Sequence, residues 1–322
     1  DYEAGERVSD DIVALFAVIG DKARSLGQTA RPSGPFRWLA NLAHGLNRNN
    51  RNGSERNISA HYDIGNDFYA QWLDPTMAYS SAIGLAEHGS SNDLETAQRA
   101  KARAIVGRLG KPKTVLEIGC GWGALSQELS QTGAQVTAIS LSDQQLSFAR
   151  ANRSPEIRFE KRDYRDVDGM FDAIACVEMV EALGRQYWPS FMDVIARSLK
   201  PGGRAAIQFI SMADDLFEDY ANAAEFIQAY IFPGGLLIKT SEFRALAESR
   251  GLAWNDQLDF GLDYAETLRI WRERFDRAAA NRSLPAEFDS RFVELWRYYL
   301  SYCEAGFRCR NLNVHQVTLT KE

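Results

Sequence analysis

Three glycines and one acid at a single turn are the most informative residues of this 322-residue sequence. Glu117 lies two residues before Gly119 in the run VLEIGCGWG, which continues through Gly121 to Gly123. Glycine lets the backbone turn sharply between a strand and a helix, and it lets a ligand approach the chain closely. An acid at the strand end disfavours a pyrophosphate and favours a cationic ligand. The run therefore predicts a cofactor-binding turn, with a dinucleotide loop as the alternative.

Polar residues follow the next two predicted strands. The second strand ends at Ser140 and Leu141, and Gln145 comes soon after, where an amide can hydrogen-bond ribose hydroxyls. The third strand ends at Asp163 and Tyr164. A carboxylate there can accept a hydrogen bond from an adenine amino group, and an aromatic ring can stack on the base. A helix cap is the alternative role for Asp163.

Composition and charge exclude several classes of protein. Hydrophobic residues make up 45% and charged residues 25% of the chain, so collagen, coiled coil and wholesale disorder are excluded. The net charge of −6 disfavours a nucleic-acid partner. The cysteines and histidines lack zinc-site spacing, so we expect no metal, and reduced cysteines favour a cytoplasmic chain. No run approaches the length of about 20 apolar residues that a membrane-spanning helix needs, so we expect no such helix. The first residues lack the pattern of a secretory signal peptide. The earlier removal of a leader peptide is the alternative.

Strands alternate with helices through most of the chain, which favours a doubly wound parallel sheet. Strands are predicted at 114–119, 134–141, 157–164, 171–179, 204–211 and 313–321. Helices are predicted at 9–27, 93–110, 124–133, 142–152, 191–200, 264–278 and 285–304. Helical segments and a Phe-Pro-Gly-Gly turn interrupt the alternation at about 212–250, which we interpret as a cap insertion.

Residues 31–56 differ in charge from the rest of the chain. They contain five arginines and one acid, with aromatic residues among them, in an otherwise acidic protein. Basic and aromatic side chains together can dock at lipid headgroups, whereas a solvated arm is the alternative. We therefore separate an N-terminal helical and basic segment, 1–56, which is a candidate membrane-docking arm, from a catalytic domain at 57–322.

Six further sequence blocks follow one another from about residue 57 to the C-terminus. They are HYDIGNDFY (61–69), LDPTMAYSSA (73–82), EMVEALG (178–184), YIFPGG (230–235), DYAETL (263–268) and WRYYL (296–300). This ordered set resembles the cyclopropane fatty acid synthase family, which includes the mycolic acid cyclopropane synthases and related lipid C-methyltransferases. The resemblance implies an α/β, Rossmann-like class I methyltransferase fold. We expect a seven-stranded, mostly parallel sheet with an antiparallel last strand, a helical N-terminal segment and a lipid-side helical cap.

The cofactor that the resemblance implies is S-adenosylmethionine. The glycine turn is similar to motif I of the class I methyltransferases. By resemblance, Tyr79 and Ser80 cover the methionine moiety, while the turn and Gln145 hold the backbone and the ribose. His61 and Tyr62 are expected to pack a lid over the cofactor, without a chemical role.

The reaction implied by the resemblance is attack of an acyl-chain double bond on the sulfonium methyl, which leaves a carbocation. In the family a bound bicarbonate ion is the proposed base, held by Cys, Glu, His and Tyr side chains and one backbone group. Glu181 matches the glutamate, Tyr264 the tyrosine and Ile210 the backbone position. Ser81 replaces the cysteine and Gln208 replaces the histidine. Bicarbonate then binds in an altered field, or Glu181 or a neighbour acts directly.

These expectations combine into one hypothesis about function. We expect an S-adenosylmethionine-dependent C-methyltransferase that acts on unsaturated acyl chains, in phospholipids, and gives a methyl- or methylene-branched product. It would be cytoplasmic and peripherally associated with the inner face of the membrane. Whether it forms a homo-oligomer is left as an alternative to a monomer. A cyclopropane synthase, a methyltransferase for a soluble small molecule and a non-catalytic lipid-binding relative are the alternatives.

Overall fold

The computed structural model describes residues 11–26, 64–88, 93–221 and 235–322. The predicted docking arm at 31–56, the lid residues His61 and Tyr62, and most of the YIFPGG block lie outside these ranges. Within them, no helix combines the length and the apolar character needed to cross a membrane. The same ranges contain no group of three or more His, Cys, Asp or Glu residues arranged to hold a metal ion.

One mixed sheet forms the centre of the described structure. Its strands are β1 (Thr114–Ile118), β2 (Gln135–Ser140), β3 (Arg158–Lys161), β4 (Phe171–Val177), β5 (Leu199–Met212), β6 (Ile238–Lys239), β7 (Leu252–Asp259) and β8 (Leu312–Lys321). They are ordered β3-β2-β1-β4-β5-β8-β7, with the two-residue β6 beside β5. Only the pairings of β8 with β5 and β7 are antiparallel. This confirms the predicted fold class, including its antiparallel last strand, but the sheet has eight strands rather than the predicted seven, because the short β6 pairs with β5.

Helices flank the sheet and cover one of its ends. They are α1 (Ile12–Leu26), α2 (Asn66–Ala70), α3 (Leu85–His88), α4 (Leu94–Leu109), α5 (Ala124–Ser130), α6 (Asp143–Asn152), α7 (Trp188–Ser198), α8 (Phe217–Ala221), α9 (Thr240–Glu248), α10 (Gly261–Ala280) and α11 (Ser290–Arg308). The Ser142 side chain accepts from the Gln145 amide and caps α6. The helix predicted to reach Lys200 ends at Ser198 instead, because Leu199 pairs with Phe171 of β4.

The sheet is buried on both faces, as expected for parallel strands. Successive β1 residues point to opposite faces: Val115 packs with the α4, α5 and α6 layer, and Leu116 with the α7 and α9 layer. Phe243 of α9 is fully buried in that second layer. The predicted cap insertion at about 212–250 therefore includes a helix of the sheet's own covering layer.

A third cluster, rich in aromatic residues, joins α2, α10 and α11. It extends to Trp122 of the glycine turn and to Ile210 near the carboxyl end of β5. On its outer side, α1 packs against α11 through edge-on contacts of Phe16 with Tyr298 and Tyr302, at centroid distances of 5.1 and 5.6 Å. This layer therefore covers the carboxyl end of the sheet, where parallel α/β folds bind their ligands.

Candidate active site

The glycine turn requires glycine for two separate reasons. Gly119, Gly121 and Gly123 have φ values of 78°, 53° and 79°, a left-handed conformation that L side chains rarely adopt. In addition, a Cβ on Gly119 would lie 2.7 Å from Cγ of Met179. A Cβ on Gly121 would meet only Nε2 of Gln145, at 4.0 Å. The open space at the turn therefore lies next to Gly121, beside the side-chain amide of Gln145 that is predicted to bind ribose.

Glu117 is a buried acid at the end of β1, with 3% of its surface exposed. Its carboxylate accepts a hydrogen bond from Ser126 of α5. Burial raises the pKa of Glu117 to about 7, while this hydrogen bond and the charges of Lys101 and Arg153 oppose the rise. A cationic or hydroxyl-bearing ligand beside this carboxyl would favour its charged form. Glu117 therefore fits the cofactor role predicted for it.

The residues predicted to bind ribose lie together after β2. The Ser140 hydroxyl donates to Oε1 of Gln145 at 3.2 Å, and Leu141 is the next residue of the same loop. The amides of Gly119 and Cys120 both donate to the Ile139 carbonyl at 3.0 Å, which joins the glycine turn to the end of β2. The fold thus brings these predicted cofactor residues to one edge of the sheet.

Asp163 and Tyr164 lie after β3 and already have protein partners. Asp163 caps a 3₁₀ turn, and its carboxylate forms an ion pair with Arg165 at 2.5 Å. Tyr164 is buried beneath α7, with its hydroxyl 3.3 Å from Oγ of Ser190. Their predicted contacts with adenine stay predictions, and an adenine amino group at Asp163 would compete with Arg165.

Ser80 is held by two side chains of α4. Nζ of Lys101 donates to the Ser80 hydroxyl, and Nε2 of Gln98 donates to the Ser80 carbonyl at 2.8 Å. The preceding residue, Tyr79, places its hydroxyl 2.8 Å from that of Tyr299 in α11. The segment predicted to cover the methionine moiety is therefore fixed from both sides.

Lys101 was not predicted as a site residue. It is 5% exposed, and burial lowers its pKa to about 8, against the attraction of Glu178, Asp74 and Glu117. It belongs to the buried face of α4, on which Lys101 and Gln98 are three residues apart. A lysine at helical spacing within an otherwise buried face was the sequence signal that could have revealed it.

The carboxylate of Glu178 is the centre of a second polar cluster. Its Oε1 accepts from the Ser81 amide at 2.9 Å and from Nε2 of Gln208 at 2.7 Å. Its Oε2 accepts from the Tyr264 hydroxyl at 2.8 Å. Ser81, Gln208 and Tyr264 thus come together as predicted, but around a side chain to which the sequence assigned no role. The Ser81 hydroxyl takes no part in this cluster and donates to the Ala82 carbonyl.

Glu181 lies beside this cluster and, like Glu178, is half-buried. One of its oxygens accepts from the Ile210 amide, and the other has no hydrogen-bond partner among the described residues. Burial, and after it the negative charge of Glu178, raise the pKa of Glu181 to about 8. Glu181 therefore carries a proton at neutral pH.

A chain of amides fixes the direction in which Gln208 points. Its Oε1 accepts from Nε2 of Gln316, its register partner on β8, at 3.0 Å. The Gln316 oxygen in turn accepts from Nε of Arg108 at 3.2 Å. Since the carbonyl side of the Gln208 amide is engaged by a donor, its NH₂ group faces Glu178.

Aromatic rings connect the two clusters. The ring centroid of Trp271 lies 5.3 Å from that of Tyr79 and 6.0 Å from that of Tyr264. The Tyr264 ring also lies 4.7 Å from Phe307. Aromatic rings therefore surround the residue whose hydroxyl bonds to Glu178, and the faces of such rings attract positive charge.

Comparison with protein families and curated proteins gives consistent results. The family model described as mycolic acid cyclopropane synthetase matches residues 49–317. The tuberculostearic acid methyltransferase UfaA1 of Mycobacterium tuberculosis is 35% identical, over 100% of this chain and 78% of its own length. The cyclopropane-fatty-acyl-phospholipid synthase of Escherichia coli K12 is 34% identical, over 81% of this chain and 66% of its own length. This chain therefore spans just under two thirds of the second relative.

Solved structures show the same similarity. The cyclopropane synthase MmaA2 from Mycobacterium tuberculosis has a TM-score of 0.75 at 26% identity, covering 83% of this chain and 98% of its own. The mycolic acid cyclopropane synthase CmaA1, complexed with SAH and CTAB, has the same TM-score and coverage at 27% identity. Coclaurine N-methyltransferase, at 19% identity and a TM-score of 0.73, shares the fold.

Proposed function

This chain belongs to the mycolic acid cyclopropane synthetase family and is an S-adenosylmethionine-dependent methyltransferase, and we propose that it methylates a double-bond carbon of an unsaturated acyl chain. One observation carries the proposal. Ser80, which binds buried Lys101, and Ser81, whose amide binds the Glu178 carboxylate, are adjacent residues. A single segment therefore joins the predicted cover of the cofactor to a half-buried carboxylate.

The residues of the first cluster fit the cofactor. S-adenosylmethionine supplies an electrophilic methyl group on a positively charged sulfur. The buried Glu117 carboxyl and the left-handed glycine turn are suited to a cationic ligand that approaches the backbone closely. We propose that the cofactor is held by Tyr79, Ser80, Glu117, Gly119, Gly121, Gly123, Ser140, Leu141, Gln145, Asp163 and Tyr164.

The second cluster fits an apolar substrate that becomes positively charged. An alkene that attacks a methyl group keeps a positive charge on its other carbon, and water would quench it. The buried rings of Tyr264 and Trp271 and the half-buried carboxylate of Glu178 are groups that can stabilise such a charge.

The bicarbonate implied by the resemblance does not fit this arrangement. The Ser81 amide, the Gln208 amide group and the Tyr264 hydroxyl all donate to Glu178. We therefore derive no step through that ion. We propose a methyl- or methylene-branched unsaturated product, since Ser81 and Gln208 depart from the family's cysteine and histidine. The similarity to the Escherichia coli cyclopropane-fatty-acyl-phospholipid synthase makes a cyclopropane the second candidate.

We further propose that the acyl chain belongs to a phospholipid and that the enzyme works at the inner, cytoplasmic surface of a membrane. Support comes from the arginines of 31–56, which lie outside the described residues, and from the lipid named in the relative above. A homo-oligomer stays a prediction.

Mass spectrometry of acyl chains tests the proposed function. The purified protein is incubated with S-adenosylmethionine and vesicles of a phospholipid carrying one cis double bond. We expect the unsaturated chain to gain one methylene unit, and a saturated phospholipid to stay unchanged. Cofactor binding without turnover on any unsaturated lipid would support the non-catalytic lipid-binding relative instead. Methylation of only a soluble molecule would support the third alternative.

A further inference from the structure

The Glu178 carboxylate occupies the donor set that the family resemblance assigns to a bound anion. We propose that Glu178 is the catalytic base of this enzyme and that its side chain replaces bicarbonate. This inference rests on the proposed function, since it concerns the proton that must leave after methyl transfer.

The three hydrogen bonds to Glu178 leave no equivalent place for a second anion. They come from three separate parts of the chain: the Ser81 amide, Gln208 on β5 and Tyr264 on α10. A bicarbonate ion that took these donors would bury a second negative charge against Glu178 and strip that carboxylate of its partners. Two buried anions in contact are strongly unfavourable.

Glu178, rather than Glu181, is the carboxyl group suited to accept a proton. Burial raises the pKa of Glu178, but Lys101 and the three donors oppose the rise. The ionised form of Glu181 is favoured by two backbone amides, those of Ile210 and of Glu181 itself, and the charge of Glu178 disfavours it. The three donors that contact the Glu178 carboxylate favour its ionised form, so a proton shared by the pair is placed on Glu181.

The backbone at residue 178 supports a role for the side chain. Glu178 has a φ of 47°, a left-handed conformation in which glycine is preferred over residues with a Cβ. Its amide donates to the Gln208 carbonyl at 2.8 Å, which fixes this strained residue at the end of β4. A glutamate is retained at a glycine-like position, and its carboxylate has three donors. Replacement by glycine should therefore empty the anion site without straining the fold.

The π-electrons of the alkene form the new carbon–carbon bond to the methyl group, and the methyl–sulfur bond breaks with its electron pair remaining on sulfur. A C–H bond beside the cationic carbon then breaks, and its electron pair forms a new C=C bond. The proton moves to the Glu178 carboxylate, which becomes a neutral acid and later releases the proton to solvent.

Removal of bicarbonate tests the proposal on the wild-type enzyme. Product formation is measured in buffer freed of carbon dioxide, with and without added sodium bicarbonate. We expect the two rates to agree within about twofold. A rate that collapses without bicarbonate and returns on its addition would overturn the proposal.

Two variants test the side chain directly. We expect Glu178→Gln, which keeps the shape but cannot accept the proton, to lower turnover by on the order of 10² or more, with cofactor affinity by calorimetry unchanged within about threefold. We expect Glu178→Gly to be inactive alone and to regain at least about tenfold with added bicarbonate or formate. Full turnover of Glu178→Gln, or no rescue of a folded Glu178→Gly, would contradict the proposal.

Binding of ¹³C-labelled bicarbonate separates this proposal from the proposed function. Line broadening of the bicarbonate carbon signal needs no lipid substrate. We expect broadening with Glu178→Gly and none with the wild-type protein. Specific binding by the wild type overturns the inference even if acyl chains are methylated. Absence of acyl methylation by the wild type overturns the proposed function, whatever the bicarbonate result.

Discussion

Nε2 of Gln208 donates to Oε1 of Glu178 at 2.7 Å, across the carboxyl ends of β5 and β4. This contact explains why a neutral amide is sufficient where the resemblance leads one to expect a histidine. A carboxylate attached to the protein needs only a hydrogen-bond donor that orients it. A diffusible anion also needs a positive charge that attracts it to the site. The charge in this part of the site comes from Lys101, which opposes the rise in the Glu178 pKa more than any hydrogen bond does.

Removing this donor should change the pH dependence of the reaction. We expect Gln208→Leu to raise the Glu178 pKa, because a hydrogen bond to a carboxylate favours its charged form. The acidic limb of kcat/KM should then move to higher pH, with turnover at neutral pH reduced by about tenfold or more. A pH–rate profile from pH 5 to 9 measures the shift. An unchanged acidic limb would show that Gln208 does not tune the base.

The positive charge of Lys101 should affect the acidic limb of the same pH–rate profile. Lys101→Met removes a buried positive charge near Glu178 and Glu117, and it also removes the bond to the Ser80 hydroxyl. We expect weaker cofactor binding by calorimetry together with an acidic limb at higher pH. Ser80→Ala, which removes the hydroxyl and keeps the charge, is the matched control and should weaken binding without moving the limb. If both variants leave the limb in place, the charge of Lys101 has no role in the chemistry.

Cofactor binding should depend on space at the glycine turn. We expect Gly121→Val to abolish S-adenosylmethionine binding in calorimetry, because a branched side chain would fill the space beside Gln145. Gly133→Ala is the matched control, since Gly133 also has a positive φ, of 81°, but has no atom near its would-be Cβ. Its strain should lower stability by about 1 kcal/mol and leave affinity intact. Unchanged affinity of a folded Gly121→Val protein would refute the placement.

Buried acids should make the unliganded protein less stable as pH rises. The folded-state pKa of Glu181, about 8, lies above its ordinary value of 4.5, so its contribution is complete below pH 4.5 and is lost as pH rises through 8. Glu117, with a pKa of about 7, acts in the same direction. We expect Glu181→Gln to flatten the fall in melting temperature between pH 5.5 and 8.5, and to lower turnover less than Glu178→Gln does. An identical slope in wild type and variant would contradict the assignment.

Membrane association should be electrostatic. We expect replacement of Arg48, Arg51 and Arg56 by Glu to weaken cosedimentation with anionic vesicles by at least about tenfold, since each basic residue near such a surface contributes about 1 kcal/mol. Added salt should have the same effect on the wild type. Equally strong, salt-insensitive binding to neutral vesicles would exclude docking by charge.

Local patterns were sufficient for much of the fold and for part of the site. The strand, acid and glycine turn around Glu117 are set by neighbours in sequence, and so is the Ser142 cap. β7 was missed because residues 255–259 are exposed and lack alternating apolar positions. The role of Glu178 could not be read from the sequence either. It depends on a left-handed backbone and on donors far apart in the chain, with Ser81 and Tyr264 separated from it by 97 and 86 residues.

The fate of the transferred methyl group tests the central claim most directly. The wild-type enzyme is given S-adenosylmethionine with a trideuterated methyl group and a cis-monounsaturated phospholipid, and the purified acyl product is studied by mass spectrometry and NMR. We predict a chain that gains one carbon and retains a C=C bond, with all three deuterons in a methyl-branched alkene or two in a methylene group. A product without a C=C bond, with two deuterons and upfield cyclopropyl signals, would contradict the branched product, and an unmethylated chain would contradict the proposed function itself.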